Sequence, residues 1–267
     1  MKDEKLDKIP LNLYIKEAAL YILQYNKKYN KTIPLNPKNA KMIAHRGLSN
    51  LERENTLPAF KLAGEHTYYG IETDVHKTGD GKYVIIHDDN TLRVSGAYHI
   101  VEATDEKTLT SLKLYNMSGA PSDNHRIPSL TEYIEICKKY DKYCVLELKN
   151  RFDEHDVYEI ADIISKAGYL DKTIFISFDI TNLISLRKKY PAQPAQFLTS
   201  RYTDGLIGIL KKHNLDLDIF YRALNRNRIE LLHQAGIKVN CWTVNTLRHA
   251  RKLDKWGVDY ITTNILE

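Results

Sequence analysis

From residue 42 onward the chain alternates short apolar, β-prone runs with amphipathic stretches, at a repeat of roughly 20–25 residues. The runs are Met42–His45, Gly70–Val75, Cys144–Leu148, Thr173–Ser177, Ala195–Thr199, Leu217–Tyr221, Lys238–Trp242 and Asp259–Thr262. Helix-like segments lie between them: Thr131–Tyr140, Val157–Ala167, Asn182–Lys189, Arg228–Ala235 and Arg248–Trp256. Parallel strands need crossover connections, and strands that are buried on both faces read as continuous apolar runs. Eight such units predict an α/β fold closed into a (β/α)8 TIM barrel, for which 267 residues is an ordinary length. An open doubly wound sheet is the alternative, but no Gly-rich fingerprint follows the first run.

No Ser/Gly-rich linker or block of like charge interrupts the pattern after about residue 40. The sequence therefore divides into an N-terminal helical extension, 1–40, and the barrel, 41–267. Positions 11–29 read as an amphipathic helix that is expected to cap the bottom of the barrel. A second departure is 93–128, a polar insertion between the second strand and its helix. In a barrel that loop lies on the active-site face and shapes substrate access.

Thirty-nine basic against thirty-four acidic residues leave a net charge of +5. This mild excess suits an anionic small molecule and does not predict a nucleic-acid partner. Cys137, Cys144 and Cys241 form no CxxC pair and read as reduced core residues. The first thirty residues carry acids early and have no apolar core of a signal peptide. No stretch approaches the ~20 apolar residues of a membrane span, so a cytoplasmic protein without stable membrane insertion is expected. Oligomeric state is left open.

The second strand reads Gly-Ile-Glu-Thr-Asp-Val, and its period of two puts Glu72 and Asp74 on one face. Two carboxylates side by side in an apolar strand repel unless something neutralises them, and an oxygen-preferring divalent cation does so. Gly79-Asp80-Gly81 then punctuates a hairpin. With the turn centred on Asp80, His87 folds back opposite roughly Thr73, between the two acids. His76 shares the parity of Asp74 and reads as structural.

The first strand ends in His45-Arg46-Gly47, at the end of a barrel strand where catalytic groups sit. His exchanges protons near neutral pH, Arg offers phosphate a bidentate fork, and Gly lets a ligand approach the backbone. On the third barrel strand Glu147 and Lys149 share a face, either as a structural ion pair or as a third metal carboxylate beside a second phosphate cation. Trp242, near the end of the seventh, is either core or a wall for a substrate's carbon skeleton.

Taken in order, His-Arg-Gly (45–47), Glu-Asn-Thr-Leu-x-Ala-Phe (54–60), Glu-Thr-Asp-Val (72–75), Asp-Gly-Lys-Tyr-Val-Ile-Ile-His-Asp (80–88), Leu92-Arg93, Glu-Leu-Lys (147–149) and Trp-Thr-Val-Asn (242–245) resemble the glycerophosphodiester phosphodiesterases. The resemblance runs from residue 42 to about 264. It implies that Glu72, Asp74 and Glu147 bind one Ca²⁺ or Mg²⁺, and that His45 and His87 act as general acid and base. It also implies that Arg46 and Lys149 contact phosphate and that Trp242 lines the pocket of a small-molecule glycerophosphodiester. Two positions depart from the family's pattern. Arg53 stands where Pro usually precedes Glu-Asn-Thr, either touching substrate or lying on the surface. Thr262-Thr263-Asn264 replaces a common Thr-Asp-x-Pro, which leaves the last loop without an assigned role.

The implied reaction is metal-dependent hydrolysis of a glycerophosphodiester to sn-glycerol 3-phosphate and an alcohol. A lysophospholipase D-like or phospholipase-like enzyme acting on lipids is one alternative. A barrel that binds phospholipid headgroups without cleaving them is another, and loss of a histidine or carboxylate would have favoured it. All five are present.

Overall fold

The structure is a computed structural model that describes residues 29–267. The helix expected over 11–29 lies, apart from its last residue, outside the described residues, as does its expected place beneath the barrel.

In chain order, β1 (Lys41–Ala44) leads through α1 (Leu57–Glu65) to β2 (Gly70–Lys77). A hairpin adds β3 (Tyr83–Ile85), and then come α2 (Leu92–Ser95), α3 (Glu106–Ser111) and α4 (Leu130–Lys139). The rest alternates: β4 (Tyr143–Leu148), α5 (Glu154–Lys166), β5 (Thr173–Ser177), α6 (Ile180–Lys189), β6 (Ala195–Thr199) and α7 (Leu206–His213). It ends with β7 (Asp216–Phe220), α8 (Arg226–Gln234), β8 (Val239–Trp242), α9 (Leu247–Trp256) and β9 (Tyr260–Thr263). All strands but β3 pair in parallel in the order β1-β2-β4-β5-β6-β7-β8-β9. Pairing of β9 back onto β1, with Met42 beside Ile261, closes the circle. This is the (β/α)8 barrel that the alternation predicts.

Helix starts are written locally. Thr56 caps α1, Asp153 caps α5 and Asp179 caps α6, while Ser129 and Glu132 form a capping box at α4. Outward-facing strand residues pack against the helices in one continuous core. Inside the barrel Ile43, Val145, Ile174, Ile176, Leu198 and Tyr260 form a separate apolar plug. Tyr69 and Tyr143 stack at 4.2 Å beside the strands' amino ends, with Lys41 over the Tyr69 ring. Toward the carboxyl ends the inward positions turn polar: Glu72, Asp74, Glu147, Gln196, Asp218, Asn240 and Thr262, all buried.

The insertion 93–128 leaves the carboxyl end of β2 through the hairpin and so stands over that polar layer. It is less polar within than its sequence suggests. Val94, Val101, Leu109, Leu114 and Ile127 bury their side chains against Val84 and Ile86 of the hairpin arm, a small core of its own. Cys137, Cys144 and Cys241 are buried free thiols, as their spacing indicates.

Candidate active site

Residue pairing in β2 does what its period of two requires. Val75, His76 and Lys77 face Ile85, Val84 and Tyr83, and Ile86 N–H donates to Asp74 O at 3.0 Å. His87 follows immediately after this pairing ends. On the other side Asp74 lies level with Glu147 of β4. Carboxylate oxygens of Glu72, Asp74 and Glu147 all come within 4.8 Å of one another, and all three residues are buried.

Burial pushes the Glu72 carboxyl well above the usual carboxylate range, and the neighbouring Asp74 charge adds to this. Burial also raises Glu147, to about 7. Asp74 goes the other way: burial opposes its charge, but Lys149, His87 and Arg46 together with the Asn55 amide hold it below the ordinary value. Three buried carboxyls, two of them pushed toward the neutral form, make a donor set suited to a hard divalent cation. A second acidic group, Asp153, His155 and Asp156, differs in kind. Its Asp156 is taken by Lys77 at 2.6 Å and its Asp153 caps α5.

Arg46 reaches this cluster twice, its backbone N–H donating to Glu72 Oε2 at 2.8 Å and its Nε lying 3.4 Å from Asp74 Oδ2. Lys149 Nζ sits 2.9 Å from Glu147 Oε1 and 3.4 Å from Asp74 Oδ1. Both cations therefore lie at the rim of the acids. His45 projects from the end of β1 with Nε2 3.9 Å from Glu72 Oε2. Burial, with the Arg46 charge, lowers its pKa to about 3. His87 is also lowered, by burial first and then by Arg46, and its Nδ1 lies 2.8 Å from Asp88 Oδ1. His76 Nε2 is 3.3 Å from the His87 carbonyl and supports that loop.

Trp242 is half-buried, its ring 5.7 Å from Phe178 and 5.6 Å from Phe220. Its Nε1 has no hydrogen-bond partner among the described residues.

Three features were not read from sequence. Asn264, in the loop left without a role, accepts from His45 Nδ1 at 2.7 Å and is itself fixed by its backbone N–H donating to Asn245 Oδ1 at 2.7 Å. Only its place in the Thr-Thr-Asn departure could have drawn attention to it. Arg53 has a further contact: its guanidinium donates to the carbonyls of Tyr115 and Asn116 and ties down the insertion. Gly47 serves packing, since a Cβ on it, at φ +77°, would lie 2.8 Å from the Ala59 backbone of α1.

The model of the glycerophosphoryl diester phosphodiesterase family matches residues 45–267. The chain belongs to that family, whose members are phosphoric diester hydrolases. A glycerophosphodiester phosphodiesterase from Caldanaerobacter subterraneus is 29% identical over 229 residues, covering 84% of this chain and 93% of the relative. An Oleispira antarctica phosphodiesterase, solved in complex with the product sn-glycerol-3-phosphate, superposes with a TM-score of 0.80 at 27% identity. The match covers 85% of this chain and 93% of that one. A Thermotoga maritima glycerophosphodiester phosphodiesterase gives 0.70 at 25% identity, over 85% and 95%. In this phosphodiesterase, as described from residue 29, no helix is long and apolar enough to cross a membrane.

Proposed function

We propose that the chain hydrolyses small glycerophosphodiesters to sn-glycerol 3-phosphate and an alcohol, in a metal-dependent reaction served by two histidines. The observation that carries this reading is the convergence of three buried carboxylates within 4.8 Å of one another, with His45 Nε2 3.9 Å from Glu72. Glu72, Asp74 and Glu147 would hold one Ca²⁺ or Mg²⁺. Bound there, such a cation neutralises phosphoryl oxygens and stabilises the charge that builds on them.

The protein's own groups supply the rest. Arg46 and Lys149 turn toward the phosphate, Arg46 as a fork and Lys149 as a point charge. Asn264 holds His45 Nδ1 and Asp88 holds His87 Nδ1, so each ring presents Nε2 for proton transfer. One histidine takes the proton of the nucleophile, which is either water or the glycerol 2-hydroxyl, and the other protonates the departing alkoxide; attack by the 2-hydroxyl forms a cyclic phosphate that water then opens to sn-glycerol 3-phosphate. Trp242 lines the carbon skeleton. A cytoplasmic setting, where unpaired cysteines persist as thiols, belongs to the same proposal.

Turnover of glycerophosphocholine, glycerophosphoethanolamine and glycerophosphoinositol with Ca²⁺, Mg²⁺ or EDTA tests it. Positioned acid and base groups each contribute on the order of 10²–10⁴-fold. His45→Ala and His87→Ala should therefore nearly abolish turnover in a folded protein. Wild-type-like activity in either variant, or in EDTA, overturns the mechanism.

A second reading, cleavage of lysophospholipids, draws on the exposed apolar side chains Leu92, Tyr98, Ile100 and Met117 at and within the insertion. Release of choline from lysophosphatidylcholine vesicles, faster than from glycerophosphocholine, would establish it.

A further inference from the structure

Arg93 opens the insertion, and its guanidinium joins two arms of the site. Its Nε lies 2.7 Å from Asp88 Oδ2 and its Nη2 3.1 Å from Asp88 Oδ1. The same group reaches Glu54, with Nη2 2.7 Å from Oε1 and Nη1 3.1 Å from Oε2. Asp88 is the carboxylate against His87 Nδ1. Glu54, whose side chain is 1% exposed, also accepts from Arg46 Nη1 at 3.0 Å. A continuous path thus runs His87–Asp88–Arg93–Glu54–Arg46–Asp74. It links a histidine just beyond the hairpin to an arginine just past the end of β1.

Both edges of one planar fork are used, a geometry that lysine cannot reproduce. The insertion has other anchors: Tyr115 N–H donates to Val94 O at 2.8 Å, and Arg53 binds the carbonyls of Tyr115 and Asn116. The side chain of Arg93 is therefore not needed merely to dock this segment. Its contacts point at the groups that orient the chemistry.

We infer that Arg93 is a positioning residue: it holds Asp88 against His87 and Glu54 against Arg46, fixing a proton-transfer group and a phosphate-binding group in one frame. This rests on the roles proposed above for His87 and Arg46. Such outer partners typically cost about 10–100-fold when removed.

The test is steady-state hydrolysis of glycerophosphoethanolamine by the full chain with saturating Mg²⁺ or Ca²⁺. Arg93→Met should lower kcat by about 10–100-fold with KM within about threefold of wild type, and Asp88→Asn should do the same. Residues that act through one another do not add, so the double variant D88N/R93M should fall no more than about threefold below the weaker single variant. Losses that multiply, or an Arg93→Met effect confined to KM, would make Arg93 an independent structural contact and overturn the inference. If Arg93→Met does not fold, Arg93→Lys keeps the charge without the fork. Its kcat should still drop at least about tenfold, and a wild-type kcat overturns the proposal. Full activity in His87→Ala would instead remove the reading on which the inference stands.

Discussion

Asn264 and His45, 219 residues apart, meet at 2.7 Å between Oδ1 and Nδ1. A neutral amide stands where a carboxylate would favour the imidazolium. Asn264→Asp should raise the pH at which His45 takes up a proton from its lowered value of about 3. The limb of the kcat/KM pH profile that His45 controls then moves to higher pH, whether it acts as acid or base. Asn264→Ala should cost about 10–100-fold in kcat. An unmoved profile for the Asp variant and normal turnover for the Ala variant would deny Asn264 a part in the reaction.

Metal should stabilise the protein in a pH-dependent way. Glu147 is raised from 4.5 to about 7 in the folded protein, so between those values the folded state holds the proton more tightly than the unfolded one. Its contribution to stability is full below 4.5 and lost as pH rises through about 7. A divalent cation needs the deprotonated carboxylate and removes this penalty. The rise in Tm on adding Mg²⁺ or Ca²⁺ should therefore be larger at pH 8 than at pH 5. Equal shifts at both would count against these acids as ligands.

Glu72→Gln separates stability from activity. Burial and Asp74 penalise the Glu72 charge, while its acceptor role to Arg46 N–H survives in the amide. Denaturant unfolding of the chelated protein at pH 8 should show a gain of about 1 kcal/mol. Turnover should vanish. A destabilised but active variant contradicts both halves.

Gly47→Ala should be costly although no ligand is involved. The left-handed backbone and the 2.8 Å approach to Ala59 both oppose a Cβ. A loss of about 2 kcal/mol or more is expected by chemical denaturation, with Tm falling accordingly.

Arg53→Ala should loosen the insertion alone. Limited proteolysis should cut faster within 93–128, with the thermal transition of the barrel nearly in place. Protease resistance equal to wild type would show that the Val94–Leu109–Ile127 core suffices.

The barrel was legible because its signal is local and repeated: apolar runs and amphipathic stretches report burial on one face or two. The grouping of Glu72, Asp74 and His87 was legible for the same reason, since strand parity and a Gly-Asp-Gly turn fix a register within sixteen residues. Glu147 needed the β2–β4 register, which no local pattern contains. Asn264, Glu54 and Arg93 act through contacts between distant segments, and nothing in their neighbours announces a partner. That Gly47 is also needed for packing was not legible, because sequence shows the missing Cβ and not what would meet it. Arg53 was left between substrate and solvent because its acceptors are backbone carbonyls, which carry no residue signature.

The closing seam between β1 and β9 has a consequence for folding. His87 and two of the three acids come together through a hairpin of short sequence separation. The His45–Asn264 bond exists only after the first and last strands have paired, the most distant contact in the ring. Local opening of that seam would leave the acids and His87 assembled while releasing the ring of His45 from its hydrogen bond. On the proposed mechanism, oriented proton transfer is thereby made conditional on the closed circle, and a barrel whose last strand has not docked would hold most of the site's residues and little of its reactivity.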